Sequence, residues 1–123
     1  MSAKFKLVPN ATFKHTVFIP MAGSEDAELE MTFKHKSTRG LADEQKAYAE
    51  KFDRVLKMKN AEKRDEEIVK IQIEFLRMFC AGWEVADEFS DENIATTMAN
   101  YPRFFDSVCA QYQAELFAVR QKR

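Results

Sequence analysis

Apolar and polar side chains alternate through most of the first 36 residues. In TFKHTVFIP, Phe13, His15, Val17 and Ile19 fall on one face. In AELEMTFKHK, Ala27, Leu29, Met31, Phe33 and His35 share a face, with Glu28, Glu30, Thr32, Lys34 and Lys36 opposite. A period of two with polar alternates marks half-buried strands. The intervening MAGSEDA supplies turn chemistry through Gly23, Ser24 and Asp26. The two segments therefore predict an antiparallel hairpin. KFKLV, ahead of Pro9, alternates through Phe5 and Leu7 and is expected to add a short edge strand. An isolated hairpin is marginally stable in water, so its apolar face is expected to cover the helices that follow or another subunit.

From Leu41 the period becomes helical. Leu41, Gln45, Tyr48, Phe52 and Val55 or Leu56 form one stripe among charged neighbours. A break is expected near Asn60, a good N-cap. The next helix carries Ile68, Phe75 and Phe79 on one stripe and Val69, Ile73, Leu76 and Cys80 beside it, widened by Ile71 and Met78. It is apolar almost all round by its last turns and is expected to end near Gly82. Trp83, the only tryptophan, is expected to be largely buried there and to anchor the junction with a short helix. Ser90 stands before DENIATTMA as an N-cap, with Asp91 and Glu92 at the positive end of that helix. Pro102, after Tyr101, closes it and suits the first turn of a last helix. That helix carries Phe105, Val108, Cys109, Tyr112, Leu116 and Val119 inward and finishes in the basic RQKR.

These elements define an α+β fold: an amino-terminal β-hairpin region (1–37) and a helical region (41–121) of about four helices. Together they are expected to form one domain spanning 1–123. Three Gly and three Pro leave little room for long loops. A net charge of −1 with both signs well represented gives no general pull toward nucleic acid or membranes. No run reaches the length of a membrane span, and the amino-terminus lacks a signal peptide's apolar centre. A cytoplasmic location is expected, in which Cys80 and Cys109 act as small buried hydrophobes.

Candidate chemistry is sparse. Glu84, Asp87, Glu88, Asp91 and Glu92 crowd one link, but without the spacing or the glycine of a calcium loop; they read as a solvated, helix-capping connection. With a hairpin turning about Ser24, His15 faces Phe33 and His35 faces Phe13. The imidazoles are then diagonal neighbours, roughly 7–8 Å apart at Cα. Zinc requires three or four ligands, and no C-x-x-C or H-x-x-x-H spacing supplies them. No nucleotide-binding or nucleophile-elbow motif occurs. Basic and aromatic residues interleave in KFKLV and FKHTVF, but the chain has no excess positive charge to support nucleic-acid binding.

The chain resembles the tail assembly chaperones of long-tailed bacteriophages. The likeness lies in a helix running to Gly82–Trp83, the acidic link to Phe89-Ser90-Asp91-Glu92-Asn93, a short helix, Tyr101–Pro102, and a final helix with Tyr112. The hairpin segments FKHTVFIPM and ELEMTFKHK, followed by helices, match in order. The resemblance implies no catalysis and no cofactor. It implies binding of the tape measure protein and delivery of major tail tube protein subunits in the infected bacterial cytoplasm, with absence from the mature virion. It also implies a longer form of the chain made by ribosomal frameshifting.

Two further readings stand beside it: a homo-oligomeric adaptor or regulator without catalysis, and a small metal-dependent enzyme using the two histidines. For the chaperone and adaptor readings, the surface expected to meet a partner or a second copy is the hairpin, through Phe13, Val17, Phe18, Ile19, Leu29, Met31 and Phe33. Its strand edges are free to pair. Trp83, Ser90, Tyr101 and Pro102 are expected to be structural anchors.

Overall fold

A computed structural model describes residues 4–118. Strands β1 (Thr12–Ile19) and β2 (Ala27–Lys34) form the hairpin. Helices α1 (Thr38–Leu56) and α2 (Ala61–Phe79) follow, then a third strand β3 (Cys80–Trp83), and helices α3 (Asp91–Asn100) and α4 (Phe104–Leu116). The fold is α+β, with an antiparallel sheet in the order β1-β2-β3. Val119 and the basic residues at 120–123 lie outside the described residues.

The hairpin pairs Phe13 with Phe33, His15 with Met31 and Val17 with Leu29. It is centred on Gly23, not Ser24. Gly23 has φ 76°, a left-handed conformation that glycine adopts without steric cost. Moving the centre by one position moves every pair by two residues. An even shift preserves the faces, so the odd-numbered side chains still point one way. Val17, Ile19, Met31 and Phe33 are buried against the helices. Each such side chain contributes on the order of 1.5–3 kcal/mol by leaving water.

Tyr112 of α4 lies at the centre of that core. Its ring is 4.4 Å from Phe79, 5.1 Å from Phe33 and 6.1 Å from Phe13, centroid to centroid. Its hydroxyl donates to the Lys34 carbonyl at 2.9 Å, so the buried ring leaves no polar atom unmet. Ile73, Leu76, Ile94, Phe104 and Val108 complete the same cluster. A second aromatic group, Tyr48, Phe75 and Phe105, joins α1 to α2 and α4.

Several boundaries differ from expectation. KFKLV is not a strand: residues 4–10 are irregular, and Phe5, Leu7 and Val8 are exposed. Helix α1 begins at Thr38, three residues early, because the Ser37 hydroxyl accepts from the Gly40 N–H at 3.0 Å. The Asn60 cap forms as read, its side chain accepting from the Lys63 N–H.

Helix α2 does not reach Gly82. It ends at Phe79, and Cys80 turns to extended geometry (φ −110°, ψ 128°). The chain then pairs with β2, Met31 opposite Trp83 and Thr32 opposite Gly82, with an irregularity between Thr32 and Phe33. Four apolar residues that continue a helical stripe carry no period of their own, so β3 was hidden. Pro102 lies in the turn before Arg103, the N-cap of α4, and so precedes the first helical turn. Phe104, one residue earlier than read, is the buried phenylalanine of α4, while Phe105 is partly buried.

The hairpin's edges are not both free. Strand β3 occupies the far side of β2. On β1, the Phe18 N–H donates to Gln111 Oε1 and Gln111 Nε2 donates to the Phe18 carbonyl, both at 2.8 Å. One side-chain amide of α4 thus takes the place of a neighbouring strand at that point.

Candidate functional site

The link from β3 to α3 is organised from its backbone outward. The Trp83 indole N–H donates to the Asp87 carbonyl at 2.8 Å, and Asn93 Nδ2 donates to the Glu88 carbonyl at 2.8 Å. Arg77 of α2 donates to the Phe89 carbonyl at 3.2 Å. Its guanidinium lies 5.2 Å over the Phe89 ring and 3.2 Å from Asp91 Oδ1. The Ser90 hydroxyl accepts from the Asn93 N–H, capping α3. Three successive carbonyls are therefore engaged, while Glu84, Asp87, Glu88, Asp91 and Glu92 stay exposed. Among the described residues no group of three or more His, Cys, Asp or Glu side chains is arranged to hold a metal ion.

Held this way, the link forms one wall of a cleft of about 500 Å³. The hairpin supplies Ile19, Met21, Ala27 and Leu29. The link supplies Trp83 and Val85, and α3 with its following turn supplies Thr96, Thr97 and Tyr101. Phe104 lies at the base. Val85 and Tyr101 are 44% and 37% exposed, so the apolar lining faces solvent. The charged residues lining it are Glu28 and Asp87, with no Lys or Arg. Apolar lining with a few polar groups is the usual make-up of a binding site.

The expected interface residues are divided by the fold. Val17, Met31 and Phe33 are inside the chain's own core, where α2 and α4 cover them, and Phe13 is partly buried against the same cluster. Val17, Met31 and Phe33 are thus covered by the chain's own helices in the folded chain, and Phe13 is covered in part. Phe18 alone lies exposed on the outer face of the sheet. Ile19 and Leu29 line the cleft together with Trp83 and Tyr101. Trp83 is half-buried in β3 rather than sunk at a helix junction; its ring packs edge-on against Phe89 and Phe104. Val85 and Phe104 were missed. The first sits among acidic residues as an isolated apolar position, and its clustering with the hairpin depends on β3.

The histidines are not neighbours. His15 lies opposite Met31, and the His35 N–H bonds the Ala11 carbonyl. Four residues of strand, roughly 13 Å, separate the two positions. His15 Nδ1 instead lies 3.6 Å from Glu115 Oε2. The pairing that motivated a histidine metal site is absent. Burial pushes the Cys109 thiol up to about 12 and the Cys80 thiol well above its ordinary value, which suppresses thiolate at neutral pH.

The α+β body thus carries an apolar cleft that faces solvent, and two thiols that burial keeps protonated at neutral pH. The chain belongs to the phage tail assembly chaperone family, whose model matches residues 1–123. No curated protein and no solved structure matches it.

Proposed function

We propose that the chain binds the tape measure protein of its phage during tail morphogenesis and helps recruit major tail tube protein subunits to it. The family match across all 123 residues carries this reading. The cleft supports it, since an apolar trough fits an apolar segment of a long partner chain. The work is binding, not catalysis, and takes place in the infected bacterial cell. The protein then leaves the assembly, so the mature virion lacks it. A frameshifted longer form would add a second contact beyond the same body.

Co-expression tests the reading. The tape measure protein should stay in the supernatant with the wild-type chain and precipitate with Val85→Glu, whose charge enters the cleft. Trp83 reports directly, because a segment seated beside it should shift its emission to the blue. Equal recovery of tape measure protein with and without the chain would overturn the proposal.

A further inference from the structure

The amino-terminal arm and the cleft have opposite characters. Phe5, Leu7 and Val8 are 87%, 93% and 78% exposed, three large apolar side chains within four residues. Lys4 and Lys6 alternate with them, and the first acidic residue of the chain is Glu25. Lys6 Nζ donates to Asn10 Oδ1 within the arm. The cleft presents an apolar lining and the carboxylates of Glu28 and Asp87, without a cation. The turn residues Glu25 and Asp26 and the link residues Glu84 and Glu88 add negative charge on either side, although Glu84 lies 3.5 Å from Lys14.

We propose that the arm of one copy seats in the cleft of a second copy. Phe5 and Leu7 would meet Leu29, Trp83 and Val85, and Lys4 and Lys6 would lie toward Glu28 and Asp87. The single chain favours exchange between copies: its own arm stays out of its own cleft, with Phe5, Leu7 and Val8 exposed and none of them among the lining residues. The bends at Leu7, Val8 and Ala11 turn the arm out of line with β1. Two copies exchanging arms form a closed, two-fold pair with no open contact to propagate. Resting on the cleft as the chaperone's binding surface, this exchange would keep it covered until a tail-protein segment displaces the arm.

Light scattering on the full chain at tens of micromolar tests the exchange. The wild type should show about twice the 14.3 kDa chain mass. Phe5→Glu/Leu7→Glu and, separately, Val85→Glu should each show a single-chain mass. These positions are exposed, so both variants should keep the wild-type circular dichroism. Mixing the two variants should restore part of the pair, because one intact arm then meets one intact cleft. Raising ionic strength from about 0.05 to 0.5 M should weaken the pair by screening the lysine–carboxylate attraction.

Disulfide trapping supplies the geometry. Mixed Leu7→Cys and Val85→Cys chains should form a covalent heterodimer that the wild type, with its own two cysteines, does not. A single-chain wild type would overturn the proposal. So would pairing unchanged in both charge variants, or a cross-link formed only within chains carrying both cysteines. Failure of the tape measure reading looks different: the wild type pairs through its arm, yet co-expression leaves the tape measure protein insoluble. If instead the wild type is a single chain and Val85→Glu still loses tape measure binding, only the arm exchange fails.

Discussion

Tyr112 ties the hairpin to two helices through one ring, and its hydroxyl closes the only polar gap that the ring creates. Tyr112→Phe should lose about 1 kcal/mol, the net value of one hydrogen bond. Burial pushes the Tyr112 phenol and the Cys109 thiol up to about 12, from ordinary values near 10 and 9, and raises Cys80 in the same direction. The folded state holds these protons more tightly than the unfolded chain. Their contribution is therefore complete below about pH 9 and is lost as pH rises toward 12. Urea midpoints should fall above pH 9, and Cys80→Ala/Cys109→Ala should move the onset nearer pH 10. A midpoint that stays constant to pH 11 would contradict this. Ser90→Ala should cost about 1 kcal/mol through its lost cap. Trp83→Ala should cost about 2 kcal/mol, below the ~3–5 of a fully buried aromatic, because one side of the indole faces the cleft.

At the level of elements, periodicity made the hairpin faces and four helices legible, because each extends over enough residues to display a repeat. It could not reveal β3. Cys80 to Trp83 is too short, and the strand exists because β2 offers an unpaired edge beside the end of α2. Nor could it decide whether the hairpin's apolar face meets a second copy or the chain's own helices, since both bury the same residues. The packing decides it for Val17 and Met31. Lys at both positions would bury two unpaired charges, so Val17→Lys/Met31→Lys should abolish the cooperative thermal transition instead of releasing a folded single chain. Arg77 is the corresponding control point of the link. Arg77→Ala removes the bond to the Phe89 carbonyl and the cover of its ring. The loss should be about 1–2 kcal/mol, given the partial exposure of the Asp91 pair. Because the link walls the cleft, the variant should also weaken tape measure capture, a defect that the capping variant Ser90→Ala should show less strongly.

For the whole molecule, the cleft was legible only in pieces. Ile19, Leu29, Trp83 and Tyr101 were each noticed for separate reasons, and only the third strand brings them to one place. The same assembly makes stability uneven. Helix α1 buries only Leu41 fully, and its other core contact is the aromatic group around Tyr48. Beyond Phe52, Val55 and, just after the helix, Met58 are half-covered and Leu56 is half-exposed, beside the largely charged start of α2. By contrast, β1, β2, the second half of α2 and α4 share one continuous cluster. Local openings follow buried apolar contact. Amides at residues 50–66 should therefore exchange with solvent through low-energy openings that leave the sheet and α4 protected. Native-state hydrogen exchange at pH 7 should show two classes, the slower confined to β1, β2, the end of α2 and α4. Uniform protection from α1 through α4 would mean that the helical pair unfolds only with the rest. In the two-class outcome, Leu56→Glu should leave the slow class unchanged, because the pair's outer end adds nothing to the core that shapes the cleft.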